Sequence, residues 1–362
     1  MNDQSRKARL LRAALDLHGP VEPTNDDWRE WVELARTERV LPLLHHIGTD
    51  PESSLDDDVR QASTAIQREI MASAVRFEHS LLKIASAFGE VGIVFAVLKG
   101  MATAHLDLPD SSLRQYGDID LLVAPADRVR ATQALELLGW KQAYPLPRHH
   151  EQFTHAVTLR NDRRVEVDLH QRIAHRALGE LVPTQELLDA AVEFEIAGHP
   201  LRALSASDRL IHAAIHTQAS SGQYRRLSSM ADVLVMAERL APEASEVLDR
   251  AESWRVRPVV ERAIEVAFTT ADLHLPEAWQ VAIRRPIRSR DRLVEKAYLS
   301  DRRRPLIEEL AYLRVLDDWQ KRVRYNRGYL ATDADYAKRH HRNGPAAQLK
   351  YLWSKMRSSR PT

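Results

Sequence analysis

Between residues 93 and 170 the hydrophobic pattern departs from the rest of the chain. "IVFAVLKG" (93–100) is a continuous apolar, β-branched and aromatic run, which predicts a short strand buried on both faces. "DIDLLV" predicts a second strand, and "FTHAVTLR" and "RRVEVDLH", joined at Asn161-Asp162, predict an antiparallel pair. Pro125 opens a predicted helix, "PADRVRATQALELLGW", at a position where proline is tolerated. Residues 89–172 therefore read as a small α/β unit of four or five strands.

The flanks read as helices. "SRKARLLRAALDLHG" ends at the stop signal Gly19-Pro20, and "TNDDWREWVELARTERV" opens on cap-type residues Thr24 and Asn25. A long helix is predicted to about Phe88, broken by Gly89 and Gly92. Beyond about 180 the chain reads as helical again, most clearly in "SASDRLIHAAIHTQASSG" and "SSMADVLVMAERL". The expected division is a helical N-terminal region (1–88), a catalytic unit (89–172), a helical C-terminal domain (173–300) and a basic helical arm (301–362). The fold class is α+β, a small mixed sheet between helical regions.

The acids of the α/β unit carry the functional argument. On a strand, residues two apart share a face about 6.6 Å from one another. Asp118 and Asp120 then point one way while Ile119 and Leu121 point the other. Two ionised carboxylates side by side repel, and a divalent cation between them reverses the sign. In "RVEVDLH" the apolar Val165, Val167 and Leu169 alternate with Glu166, Asp168 and His170. If that strand lies beside the first, Asp168 completes a three-carboxylate cluster suited to metal-assisted attack at phosphorus. Oxygen ligands favour Mg²⁺, with Mn²⁺ as an alternative. Lys99-Gly100 sits between a strand and a helix start, where backbone N–H groups and a lysine can meet a phosphate. Arg114, four residues before Asp118, is placed to hold another phosphate oxygen.

Taken together, "VLKG…R…GDIDLLV…LGW…EVDLH" resembles the nucleotidyltransferase superfamily with the DNA polymerase β-like catalytic fold, and within it a bacterial branch of uncharacterised nucleotidyltransferases. The resemblance is densest over 89–172 and extends loosely through "LIHAAIH…RRLSSMADVLVMAERL". It implies that Asp118, Asp120 and Asp168 hold the metal and carry catalysis. Lys99, Gly100, Arg114, His170 and Arg226 then bind nucleotide. Where the superfamily has a Gly-Ser turn this chain has Lys99-Gly100 followed by Met101, and the spacing from Gly100 to Asp118 is longer than in many members. The activity implied is Mg²⁺-dependent transfer of a nucleoside monophosphate from an NTP, ATP among them, to an acceptor. Sugars, antibiotics, proteins, RNA ends and modified peptides serve as acceptors among relatives, and RNA is not favoured here. The alternative is a non-catalytic nucleotide sensor, scaffold or toxin–antitoxin-type partner.

Other candidates have competing readings. His212 and His216 are four apart on one predicted helix, a metal spacing, but with no third ligand evident helix packing or substrate contact is the preferred reading. Arg225 and Arg226 precede a helix containing Asp232 and suit either phosphate contact or an ion pair. His149, His150 and His155 flank the α/β unit. The tail from Tyr336 carries seven Lys/Arg and no acid, with Leu349, Leu352, Trp353 and Met356 at helical spacing; a terminal helix docked on its core is the preferred reading, with contact to a membrane surface or RNA as the alternative. A formal net charge of +1 argues against polyanion binding by the chain as a whole. There is no cysteine, so thiolate chemistry and disulfides are excluded, and a cytoplasmic setting is expected. No stretch approaches the roughly 18 apolar residues of a membrane span.

Overall fold

A computed structural model describes residues 3–15, 24–48, 55–144, 152–219, 226–299 and 305–330. Seven strands are present among them: β1 (Phe95–Val97), β2 (Ile119–Val123), β3 (Lys141–Gln142), β4 (Ala156–Arg160), β5 (Glu166–His170), β6 (Val192–Ile196) and β7 (His199–Ala203). They form one mixed sheet in the order β3-β4-β5-β2-β1-β7-β6. β2 runs parallel to β5 and β1 parallel to β7, while the other neighbours are antiparallel.

Local chemistry sets the entry to the sheet. The helix Asp57–Glu90 starts with Asp57 and Asp58, acids that suit its positive end. It stops at Gly92 (φ 65°), and the Ile93 N–H returns to the Phe88 carbonyl at 2.9 Å, turning the chain toward β1. β1 is short because Lys99 takes φ 46°, a left-handed value that ends the strand and opens the helix Lys99–Leu106. Between β4 and β5, Asn161 Oδ1 accepts hydrogen bonds from the N–H groups of Arg163 and Val165, both at 3.0 Å.

The alternation expected from the sequence is realised as two cores on opposite sheet faces. Ile119, Leu121, Val123, Val165, Val167 and Leu169 pack with Phe77, Leu81, Ile84 and Phe88 of the long helix. Ala96, Leu98 and Leu122 face the other way, into a larger core with the helices Ala206–Ala219, Leu227–Arg239 and Arg257–Thr270. Asp120 and His170 share that second face.

Three details differ from the expectation. The helix after Pro125 begins at Arg128, because Asp127 N–H closes a turn on Ala124 O first. The two-residue β3 adds a strand at one sheet edge. The stretch beyond 180 contains a hairpin, β6–β7, whose turn residues Ala197 and Gly198 both have positive φ, 50° and 75°. The tail from Tyr336, Arg225, His149 and His150 lie outside the described residues. No described helix is long and apolar enough to cross a membrane.

Candidate functional site

β2 and β5 are in register such that Asp120 stands opposite Asp168. Like charges directly opposed across a ladder are destabilising, and neighbouring side chains offset this pair. Lys99 Nζ lies 2.6 Å from Asp120 Oδ1, and His170 Nε2 lies 2.8 Å from the same oxygen. Thr158 Oγ1, from β4, donates to Asp168 Oδ1 at 2.6 Å. Burial works against the Asp120 charge, but Lys99 and His170 outweigh it and hold the carboxyl below its usual range. Burial works against Lys99 too, and Asp120, with Asp118 and Asp168 behind it, holds the ammonium charged.

Asp118 stands just before β2 and lines the same cleft as Asp120. Burial and the neighbouring Asp120 raise its carboxyl to about 6, with Lys99 and Arg39 pulling the other way. The donor atoms of Asp120, Asp168 and His170 lie within 4.8 Å of one another, the one group of metal-ligating geometry among the described residues. Asp118 is outside that group, and His170 is inside it. Two carboxylates and an imidazole fit a divalent cation such as Mg²⁺ or Mn²⁺, the imidazole suiting Mn²⁺ better.

The turn before the acids is tightly built. A Cβ on Gly100 would stand 3.0 Å from Tyr116 Cβ, so any larger residue would require Tyr116 to shift by a few tenths of an ångström. Tyr116 is itself fixed, its hydroxyl donating to Glu78 Oε1 at 2.8 Å. Arg114 grips Asp232 with both arms, Nε to Oδ1 at 2.8 Å and Nη2 to Oδ2 at 2.9 Å, and also donates to the Gln115 carbonyl. The arginine thus ties the sheet unit to the helix Leu227–Arg239 while still lining the cleft.

That cleft has a volume of about 1100 Å³ and opens over Lys99, Gly100, Asp118 and Asp120. Its far wall comes from the N-terminal helices. Glu38 Oε2 accepts the Leu227 N–H at 3.0 Å, and Arg226 Nη1 donates to the Thr37 carbonyl at 3.1 Å, joining the two walls. Arg36, Arg39 and Arg76 line it as well. Sequence reasoning missed these three, because nothing local in two amphipathic helices distinguishes a cleft-facing arginine from a solvated one.

The remaining histidines separate. His216 lines the cleft at an accessible position, and enclosure by the cleft walls lowers its pKa to about 4. His212 is buried, held well below its ordinary pKa by burial, and its Nε2 has no hydrogen-bond partner among the described residues. Neither belongs to a metal-ligating group among the described residues. His155 stacks on His175 with ring centroids 3.5 Å apart and meets His170 edge-on.

Among solved structures, the antibiotic-resistance factor ANT(2'')-Ia matches with 17% identity and a TM-score of 0.36, over 55% of this chain and 92% of that one. An antigenic nucleotidyltransferase-like protein from Paracoccidioides brasiliensis matches with 16% identity and a TM-score of 0.31, over 50% and 88%. No curated protein matches the chain. A family model described as "Uncharacterised nucleotidyltransferase" matches residues 24–272, which include the long N-terminal helix, the whole sheet and both walls of the cleft, and the chain belongs to that family.

Proposed function

We propose that the protein transfers a nucleoside monophosphate from an NTP to an acceptor, with release of pyrophosphate. The observation that carries this reading is the in-register pair Asp120–Asp168 beside the Lys99-Gly100 turn, under a cleft large enough for two ligands. Asp118, Asp120 and Asp168, with His170, would hold the divalent cation; when bound, it neutralises phosphate charge and polarises the reacting phosphoryl group.

The chain's own groups have definable tasks. The Gly100 turn brings backbone N–H groups and the Lys99 ammonium to the phosphates. An acceptor oxygen attacks the α-phosphorus, the bond to the bridging oxygen breaks, and pyrophosphate leaves. Asp168 uses one oxygen for Thr158, and its Oδ2 has no hydrogen bond among the described residues, so it can take the acceptor's proton. Arg114, locked by Asp232, offers a fixed positive edge to the cleft.

The test is thermal unfolding with each of ATP, GTP, CTP and UTP, with and without Mg²⁺, for wild type and Asp120→Asn. A nucleotide at about 100 times its Kd adds roughly 2.7 kcal/mol, several degrees in Tm. A Mg²⁺-dependent rise in the wild type alone supports the assignment; equal responses in both proteins would remove it. The Lys99–Asp120 ion pair favours a second reading, nucleotide binding without turnover. Nucleotide binding with no pyrophosphate release from any acceptor tried would select it.

A further inference from the structure

The charge of the cleft carries information about the acceptor. Six cationic side chains line it, Arg36, Arg39, Arg76, Lys99, Arg114 and Arg226, against three carboxylates, Glu69, Asp118 and Asp120. Lys99 is paired with Asp120 and Arg114 with Asp232, and both stand on the side of the cleft assigned to the nucleotide. Arg226 is turned toward the Thr37 carbonyl. Arg36, Arg39 and Arg76 are exposed to the cleft, and none has a carboxylate within ion-pair distance among the described residues.

Their positions are separate in sequence and shared in space. Arg36 lies in the last turn of the helix Asn25–Glu38, Arg39 just past it, and Arg76 midway along Asp57–Glu90. Arg39 adopts φ 58°, a left-handed value that a glycine would take at no cost. The three stand on the wall made by the N-terminal helices, which Leu41, Ile66 and Ile70 also line. Arg39 is near enough to Asp118 to pull its carboxyl down.

We propose that this wall binds the acceptor, and that the acceptor is a small phosphorylated compound, its phosphate held by Arg36, Arg39 and Arg76. The inference rests on the nucleotidyltransferase reading of the site. Guanidinium groups match phosphate oxygens in a two-pronged geometry. Three of them on a wall that also carries Glu69 leave it with an excess of positive charge, which draws anions rather than amines into the cleft. The apolar strip of Leu41, Ile66 and Ile70 would receive the uncharged part of the molecule.

The test compares probes of one size and different charge. The full chain is titrated calorimetrically with glucose 6-phosphate, glucose and glucosamine, and with a 5′-phosphorylated RNA trinucleotide. Each titration is run without nucleotide and again with Mg²⁺ and the α,β-methylene analogue of the nucleotide that raises Tm. Glucose 6-phosphate is expected to bind in both series, with glucose and glucosamine at least tenfold weaker. Arg36→Gln/Arg76→Gln is expected to weaken glucose 6-phosphate at least tenfold while the nucleotide-induced Tm shift persists. Glucosamine binding as well as glucose 6-phosphate, or no sugar binding, would overturn the proposal. So would loss of the nucleotide shift in the double variant, which would assign these arginines to the triphosphate. RNA binding far tighter than glucose 6-phosphate would replace the small molecule by a nucleic-acid end. A wild type with no nucleotide response refutes the transferase reading instead, and the series without nucleotide still decides the charge preference of the wall.

Discussion

Lys99 Nζ and Asp120 Oδ1 are 2.6 Å apart at the bottom of the cleft, and each holds the other charged against burial. Removing one partner leaves an uncompensated charge, which costs about 3 kcal/mol where the pair is well buried. Asp120→Asn is therefore expected to abolish turnover and lower stability together. Adding Lys99→Met should recover most of the stability and none of the activity. Urea denaturation of the four proteins of this cycle measures it; additive losses would show that the two residues are not coupled.

Asp118 gives the opposite sign. Its carboxyl titrates at about 6 in the folded protein against 3.8 for the free group, mainly through burial and Asp120. The folded state holds the proton more tightly, so stability falls as pH rises from about 4 to 6 and stays reduced above. Asp118→Asn cannot ionise and escapes this cost. The variant is expected to be more stable than wild type by about 1–2 kcal/mol at pH 8 in metal-free buffer, after allowance for solvent screening. The two should converge near pH 4. Chemical denaturation at both pH values checks it, and a variant less stable at pH 8 would contradict it.

At Gly100 the constraint is steric. A methyl group there meets Tyr116 Cβ at 3.0 Å, and the hydrogen bond from the Tyr116 hydroxyl to Glu78 opposes the small shift needed. Gly100→Ala is expected to cost about 1–2 kcal/mol and to weaken the nucleotide-induced Tm shift. Tyr116→Phe, which frees the ring from Glu78, should relieve part of the loss. No change in Tm for Gly100→Ala would mean that the turn is looser than its geometry implies.

Arg114 and Asp232 form a two-pronged pair between parts of the chain 118 residues apart. A lysine cannot reproduce that fork. Arg114→Lys should destabilise by about 2 kcal/mol and reduce nucleotide affinity. Asp232→Asn should leave Arg114 charged and less restrained. Hydrogen exchange across the helix Leu227–Arg239 is the readout, with faster exchange expected in both variants.

Much of this arrangement was legible in the sequence, for reasons that individual residues show. Period-two alternation identified β2, β4 and β5 and put Val167 and Leu169 on the face away from Asp168, as found. The same pattern, Val192, Phe194 and Ile196 alternating with Glu193 and Glu195 before Ala197-Gly198, marks β6 and was overlooked among the helices. The two exposed residues of β3 carry no pattern at all. Contacts between distant segments were beyond reach: nothing near Arg114 announces Asp232, and nothing near Arg36 or Arg76 announces a cleft. His170 could be placed on the face of Asp168 by counting, but its contact with Asp120 depends on β5 pairing parallel to β2.

The parallel pairing of β1 with β7 has a bearing on how the protein can be cut and made. β1 contributes Ala96 and Val97, both fully enclosed, and its outer flank is covered only when Ala203 arrives opposite Val97. A chain ending near residue 172 would contain all three aspartates and still present a bare apolar strand edge, open to pairing with another molecule. On the ribosome that edge waits until β7 has emerged. Fragments that stop short of 203 are expected to precipitate, whereas those that include the β6–β7 hairpin have the sheet's own means of keeping copies apart.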